Sequence, residues 1–309
     1  MKIAVMATGG VGGVFGAKFA EAGEDITFIA RGAHLEEIKK NGLTILDDKG
    51  EVNIKDIQIT DDPVSIGTVD FIIFAVKLWD TESAATICKP MLGPETVLIP
   101  FQNGVSSTET ISKIIGETHT GRGISRVSAS IEAPGIIRRV GSYGSLAFAE
   151  AGGAKSTRMQ AFLDICNRVG VEAEIPDDIF RTLWQKYIFL VTVSGMTTAA
   201  RQPMRSLIAG SEGLTTAINC MTEVAEVGRA VGVDLPIDTV EKLIDFLKKM
   251  PSTMKASQAI DLENGRRLEA PWLTGNVCKM GRKYSIPTPA NDTLYSVIQP
   301  YIMGERARS

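Results

Sequence analysis

Short, mostly apolar and β-branched runs alternate with helical periodicity through the first half of the chain. Ile3–Met6, Asp25–Ala30, Val69–Val76 and Thr96–Phe101 each end at a turn or a helix start. Runs of this kind without polar alternation predict strands buried on both faces, and their alternation with helices predicts an α/β fold with a mostly parallel sheet. Leu43–Leu46 and Val52–Ile59 flank the polar Asp47-Asp48-Lys49-Gly50 and predict a peripheral hairpin. Further runs at Gly135–Val140 and Ser145–Ala149, a helix over Lys155–Val169 and a strand over Val171–Ile175 complete this half.

Pro176-Asp177-Asp178 breaks the pattern, and either aspartate suits a helix N-cap. Beyond it the strand patterns stop. Ile179–Ala200, Gly213–Val231, Ile237–Met250 and Trp272–Arg282 carry a period of about 3.6 residues, with punctuation such as Gly232-Val233-Asp234-Leu235-Pro236. Met250–Met254 reads as a linker between helices, and no internal repeat or low-complexity segment is present.

The first strand runs into Ala7-Thr8-Gly9-Gly10-Val11-Gly12-Gly13-Val14-Phe15-Gly16, which opens an amphipathic stretch. In a dinucleotide-binding turn, glycines permit a tight turn, close approach of the backbone to a pyrophosphate and close helix packing, while the helix N-terminus attracts the anion. Gly9 and Gly12 suit the second and third roles; Ala7 stands where the fingerprint has its first glycine. The expected architecture is an N-terminal Rossmann-type domain at 1–175 followed by an all-α C-terminal domain at 176–309.

The end of the second strand usually carries an acid for the ribose 2′-hydroxyl of NAD, but Ile29-Ala30 is followed by Arg31. A guanidinium suits a 2′-phosphate, so NADPH is the expected cofactor, with a solvated loop cation as the alternative. Two more strand ends, at Val76-Lys77 and Phe101-Gln102-Asn103-Gly104, place polar groups in the crevice where open α/β sheets bind ligands. Asn103 can donate and accept at once, and equally it forms an Asn-Gly turn.

Composition narrows the classes. Thirty-three Lys+Arg against 36 Asp+Glu give a formal charge of −3, leaving no excess of positive charge for a nucleic acid. Widely spaced Cys88, Cys166, Cys220 and Cys278, with His34 and His119 as the only histidines, make a metal site unexpected. No long apolar run and no secretory leader are found, so a reduced cytoplasmic protein without membrane association is expected. His34 and His119 read as ordinary surface histidines, and Lys248-Lys249 and Arg266-Arg267 are too short for binding patches.

The glycine turn, Arg31, Ala75-Val76-Lys77, Gln102-Asn103-Gly104, Trp184-Gln185-Lys186, Ser257 and Asp261–Glu269 occur in an order that resembles the 2-dehydropantoate 2-reductases, also called ketopantoate reductases. Ile286-Pro287-Thr288-Pro289-Ala290-Asn291 is similar to that family's ending. The resemblance implies reduction of a small 2-oxo acid by NADPH and a place in pantothenate biosynthesis. By it, Lys186 is the catalytic lysine and Glu269 the essential carboxylate, also at the cofactor. Asn103 and Lys77 touch cofactor and substrate, Ser257 offers a substrate hydroxyl, and Ala129 makes a backbone contact to the cofactor beside the turn residues Ala7, Thr8, Gly9, Gly10, Val11 and Gly12. A homodimer is left open.

Elementary chemistry supports the lysine. Hydride addition to a ketone develops negative charge on oxygen, which calls for a positioned cation or acid. Lys186 sits in a markedly apolar window, either snorkelling or held for a purpose. Desolvation favours its amine and a carboxylate such as Glu269 its ammonium. Glu269 otherwise reads as a solvated helix-start acid, and Ser257 as a cap. The sequence departs from the family where substrate is read: the asparagines that follow the lysine by one and two helical turns are Leu190 and Ser194, and a third falls near Met204. A more apolar pocket follows, and the preferred 2-oxo acid need not be ketopantoate. Alternatives are a hydroxyacid, opine or polyol-type dehydrogenase of the same architecture, or an NADPH-binding sensor without chemistry.

Overall fold

The apolar runs fold as strands because each can bury both faces under helices, and the computed structural model, which describes residues 1–304, orders them in a doubly wound sheet. In chain order come β1 (Lys2–Met6), α1 (Gly10–Glu21), β2 (Asp25–Ile29), α2 (Gly32–Asn41), β3 (Leu43–Asp47), β4 (Gly50–Ile54), β5 (Gln58–Thr60), β6 (Val69–Phe74), α3 (Thr81–Ile87), β7 (Leu92–Pro100), α4 (Ser107–Ile115), β8 (Gly121–Ala133), β9 (Ile136–Glu150), α5 (Thr157–Arg168) and β10 (Glu172–Glu174). Helices follow: α6 (Ile179–Ala200), α7 (Met204–Leu207), α8 (Ser211–Ala230), α9 (Thr239–Lys249), α10 (Ser257–Glu263), α11 (Thr274–Tyr284) and α12 (Pro289–Ile298). The chain divides into two compact units, Met1–Ile179 and the residues from Phe180 onward.

In the first unit a five-stranded sheet runs β5-β2-β1-β6-β7, parallel throughout. The chain leaves β1 for β2 on one side and returns with β6 on the other, so the order reverses beside β1, the crevice position for ligands in open α/β sheets. One sheet face packs Val5, Phe28, Phe71 and Phe101 with α1, α5 and the second sheet, and Phe162 stacks 4.7 Å from Phe71. The other face packs Ala4, Ile72 and Leu98 against Ala84 of α3 and Ile111 of α4.

A second sheet, β10-β9-β3-β4 with β8 on β9, corrects the sequence reading in four places. β9 is one strand over Ile136–Glu150 rather than two runs. β8 goes beyond that reading: its start, Gly121-Arg122-Gly123, lacks an apolar run, its later Val127–Ala133 alternates apolar with polar residues, and the whole pairs with β9 from Gly121↔Glu150 to Ala133↔Ile136. The expected hairpin ends at Ile54, whereas Gln58–Thr60 crosses to the first sheet and pairs Ile59 with Phe28. Nor is β3 peripheral, since it lies parallel to β9 with Ile45 opposite Ile137.

The second unit is built on α6. Tyr187, Ile188 and Val191 are buried, and Trp184 packs edge-on to Tyr187 at 5.5 Å. The short helices α7, α10 and α12 lie outside the periodic runs of the sequence; α12 starts at Pro289, which needs no N–H in a first turn. Buried Glu223 accepts from the Ala290 and Asn291 backbone N–H groups at 2.8 and 2.9 Å, fixing the start of α12 to α8. No helix among the described residues is long and apolar enough to cross a membrane.

Candidate active site

Four strand ends of the parallel sheet supply the polar groups of the first unit. After β1, Ala7 is left-handed at φ 76°, a conformation that costs a non-glycine residue about 1 kcal/mol. Thr8 is buried and tied to β2, its N–H and hydroxyl both donating to the Ile29 carbonyl at 3.1 and 3.0 Å. A Cβ on Gly9 would meet nothing within 4 Å, so open space faces the turn. A Cβ on Gly12 would lie 2.2 Å from the Ala7 carbonyl oxygen and 2.8 Å from Val5 Cγ1, and one on Gly10 would lie 2.2 Å from the Ala129 carbonyl oxygen. Gly9 is the N-cap residue of α1 and offers no side-chain cap. Open space, a side-chain-free helix start and backbone packed at glycine distance fit a dinucleotide pyrophosphate. Val11 is half-buried in that first turn, and Ala129 lies on β8 against it.

Arg31 is the N-cap residue of α2, its side chain 88% exposed, with Nη2 3.4 Å from the Asp80 carboxylate. Lys77 follows β6, exposed, its Nζ 5.8 Å from the Trp79 ring centre. Asn103 follows β7, half-buried, before the left-handed Gly104 at φ 85°. Buried Gln102 donates from Nε2 to the Val76 carbonyl and the Thr81 hydroxyl, both at 2.9 Å, so it ties the β6 and β7 ends together.

In the second unit, Lys186, Leu190 and Ser194 follow one another at one-turn intervals on α6. Lys186 and Leu190 are half-buried, whereas Ser194 is buried with no hydrogen-bond partner for its hydroxyl among the described residues. Such an orphan costs about 1–3 kcal/mol. Glu269 is buried at 7% exposure, in the turn before α11, where its carbonyl accepts from Trp272 and Leu273. It is therefore no solvated surface acid. Tyr187 donates its hydroxyl to the Leu273 carbonyl at 2.9 Å, which ties the helix of Lys186 to the turn of Glu269. Burial pushes the Tyr187 phenol well above its usual range, so it stays a donor.

Ser257 is the exposed first residue of α10; Ala256, not Ser257, is the cap residue. α10 docks on α6 through the Ala256 N–H to Thr197 Oγ1 and Gln258 Nε2 to Thr198 Oγ1, each 3.3 Å. Met204 is buried at the start of α7. The four cysteines are free and buried, their thiols pushed up to about 12 chiefly by burial, so none is a thiolate at neutral pH.

His34 and Asp80 carried no signal in the sequence. His34 is not solvated: half-buried on α2, it bonds the Thr8 carbonyl through Nε2 at 2.8 Å and accepts the Gly135 N–H at Nδ1 at 3.0 Å. Both partners are remote in sequence, so spacing could not reveal them.

The ketopantoate reductase PanE/ApbA family matches residues 3–153, and its C-terminal region matches 178–301. A 2-dehydropantoate 2-reductase of Mesorhizobium japonicum is 28% identical over 97% of both chains. A PanE/ApbA family ketopantoate reductase from Ralstonia eutropha superposes with a TM-score of 0.89 at 28% identity, covering 97% of this chain and 98% of the other. A D-mandelate dehydrogenase with NADH and anilino(oxo)acetate shares the fold, with a TM-score of 0.89, 23% identity and 97% coverage of both chains. The chain belongs to the ketopantoate reductase family and is an oxidoreductase with a Rossmann-type unit followed by a helical one.

Proposed function

We propose that the protein reduces a 2-oxo acid to the 2-hydroxy acid with NADPH, as in the conversion of ketopantoate to pantoate in pantothenate biosynthesis. The observation that supports this reading most is the carboxyl edge of the parallel sheet, where the glycine turn, Arg31, Lys77 and Asn103 end four adjacent strands. When bound, the cofactor supplies hydride to the substrate's carbonyl carbon. The turn Ala7–Gly12 holds its pyrophosphate through backbone N–H groups, and Arg31 and Lys77 offer positive charge to a 2′-phosphate. Asn103 and the Ala129 backbone orient the cofactor, and Asn103 also presents an amide to substrate oxygen.

As the carbonyl becomes an alkoxide, the Lys186 ammonium stabilises the charge and gives the proton that completes the hydroxyl. Glu269 supplies the negative charge that holds this cation in a dry setting, and Ser257 offers a hydroxyl to substrate. Leu190 and Ser194, in place of two amides, direct the pocket toward a 2-oxo acid with an apolar side chain. The D-mandelate dehydrogenase, whose named substrate is a 2-hydroxy acid with an apolar side chain, gives support by likeness of fold.

One observation favours a second reading, NADH. Arg31 already faces the Asp80 carboxylate, which would repel a 2′-phosphate. The test is a panel of 2-oxo acids, including ketopantoate, run with NADPH and NADH on the wild type and on Arg31→Asp. The NADPH reading expects a charge-assisted contact worth about 1.5–3 kcal/mol to be lost, lowering the NADPH/NADH efficiency ratio by roughly 10–150-fold. An unchanged ratio sinks the assignment of Arg31, and no turnover of any 2-oxo acid sinks the reductase reading.

A further inference from the structure

A side chain of α2 links the glycine turn to the turn between β8 and β9 by hydrogen bonds. His34 projects from α2, and both ring nitrogens are engaged by backbone far from it in sequence: the Thr8 carbonyl at 2.8 Å and the Gly135 N–H at 3.0 Å. A backbone N–H can only donate, so Nδ1 is the acceptor and carries no hydrogen; Nε2 therefore carries the hydrogen given to Thr8. Geometry fixes the neutral ring in one tautomer. Gly135, left-handed at φ 75°, is in turn held by the Thr44 N–H on its own carbonyl at 2.9 Å.

The Thr8 carbonyl shares a planar trans peptide with the Gly9 N–H. Fixing the direction of that carbonyl fixes the opposite direction of the N–H. Gly9 is the position at which open space faces the turn. It is also the residue with least backbone restraint of its own.

We propose that His34 is the positioning residue of the dinucleotide turn: it clamps the Thr8–Gly9 peptide between α2 and the β8–β9 turn, so that the Gly9 N–H is aimed before the cofactor arrives. The clamp rests on the reading that this turn binds a nicotinamide dinucleotide. Pre-aiming saves ordering cost on binding, so its loss raises the dissociation constant and leaves the chemical step nearly intact.

Two measurements test it on the full chain. Histidine-selective ¹⁵N NMR has only two rings to resolve, and they are expected in opposite tautomers, because His119 Nδ1 faces the Thr96 carbonyl at 3.0 Å. His34 should show the Nε2–H form, and adding NADPH or NADH should shift its signals while His119 stays still. The second measurement is the dissociation constant of each cofactor by fluorescence. His34→Asn retains an acceptor near Nδ1 and loses the donor, and His34→Phe loses both; each should weaken binding by about tenfold, a loss of about 1.4 kcal/mol, with kcat at saturating cofactor falling far less. His34→Gln, which returns a donor near Nε2, should recover most of the affinity. If wild type and all three variants bind equally, or if only the melting temperature falls, the clamp is refuted. A His34 ring in the Nδ1–H form or a protonated ring refutes it without any variant. If the wild type binds neither NADPH nor NADH, the cofactor reading itself has failed and the clamp falls with it.

Discussion

In the proposed site, the turn after β1 works through backbone N–H and C=O, so the residues that matter there are those that leave the backbone bare. Along α6 the working groups are side chains, and the residues that matter are set by what lies across from them. Gly12 is legible because a Cβ there would strike the Ala7 carbonyl at 2.2 Å. Lys186 is made legible chiefly by the family resemblance, since its helix is tied to the Glu269 turn and to α10 by side-chain hydrogen bonds between residues remote in sequence. A site made of backbone is written in local sequence; a site made of side chains is written in tertiary packing.

The comparison predicts that the two halves fail in different ways. Lys186→Ala should lower kcat on the best substrate by about 10²–10⁴-fold, the usual loss of a positioned acid, and leave the cofactor dissociation constant nearly unchanged. Steady-state kinetics with a cofactor titration separates the two. A kcat within about tenfold of wild type, less than general acid catalysis supplies, would remove Lys186 from the chemical step and break the contrast.

Gly12→Val should do the reverse. Its Cβ meets the Ala7 carbonyl and Val5, and overpacking of this kind typically costs about 1–3 kcal/mol. The turn must shift, so cofactor affinity should fall by roughly 10–100-fold and the melting temperature should drop, while turnover at saturating cofactor changes least. Unchanged affinity would show that the turn tolerates a side chain and that its glycines are only packing residues.

Legibility followed the same division in the fold. β1, β2, β6 and β7 could be read because each is an apolar run between turn signals. β8 is only half legible: Gly121-Arg122-Gly123 carries no strand propensity, Val127–Ala133 alternates apolar with polar residues, and the long pairing with β9 makes one strand of both stretches. Gln58-Ile59-Thr60 has strand propensity, but propensity does not name a partner, and the segment pairs with β2 rather than continuing the hairpin. In the site, the bare turn and the missing acid at Arg31 were visible. Asp80 beside Arg31, the burial of Glu269 and the double engagement of His34 were not, because each depends on residues brought together only by folding.

The smallest expected effect concerns the boundary between those two kinds of legibility, since His34 is a side chain serving a backbone site. Burial lowers its pKa below the ordinary imidazole value of 6.5, with the Thr8 carbonyl pulling the other way. Protonation would set an Nδ1–H against the Gly135 N–H. The charges around it are Arg31 and Glu37 on its own helix and the paired Glu132 and Arg138 flanking the β8–β9 turn, while the segment Ala7–Gly13 contributes none. Below pH 6.5 the unfolded chain therefore takes up a proton that the folded chain refuses, and stability falls. The contribution is complete above that value, is lost as pH falls toward the folded pKa, and stops changing below it. Denaturant unfolding of wild type and His34→Gln from about pH 7.5 to about 5.5, either side of the imidazole range, should show the wild type losing stability faster on acidification. Parallel curves would mean that His34 is as free to protonate in the folded protein as in the unfolded chain, and the turn would then stand on its backbone alone.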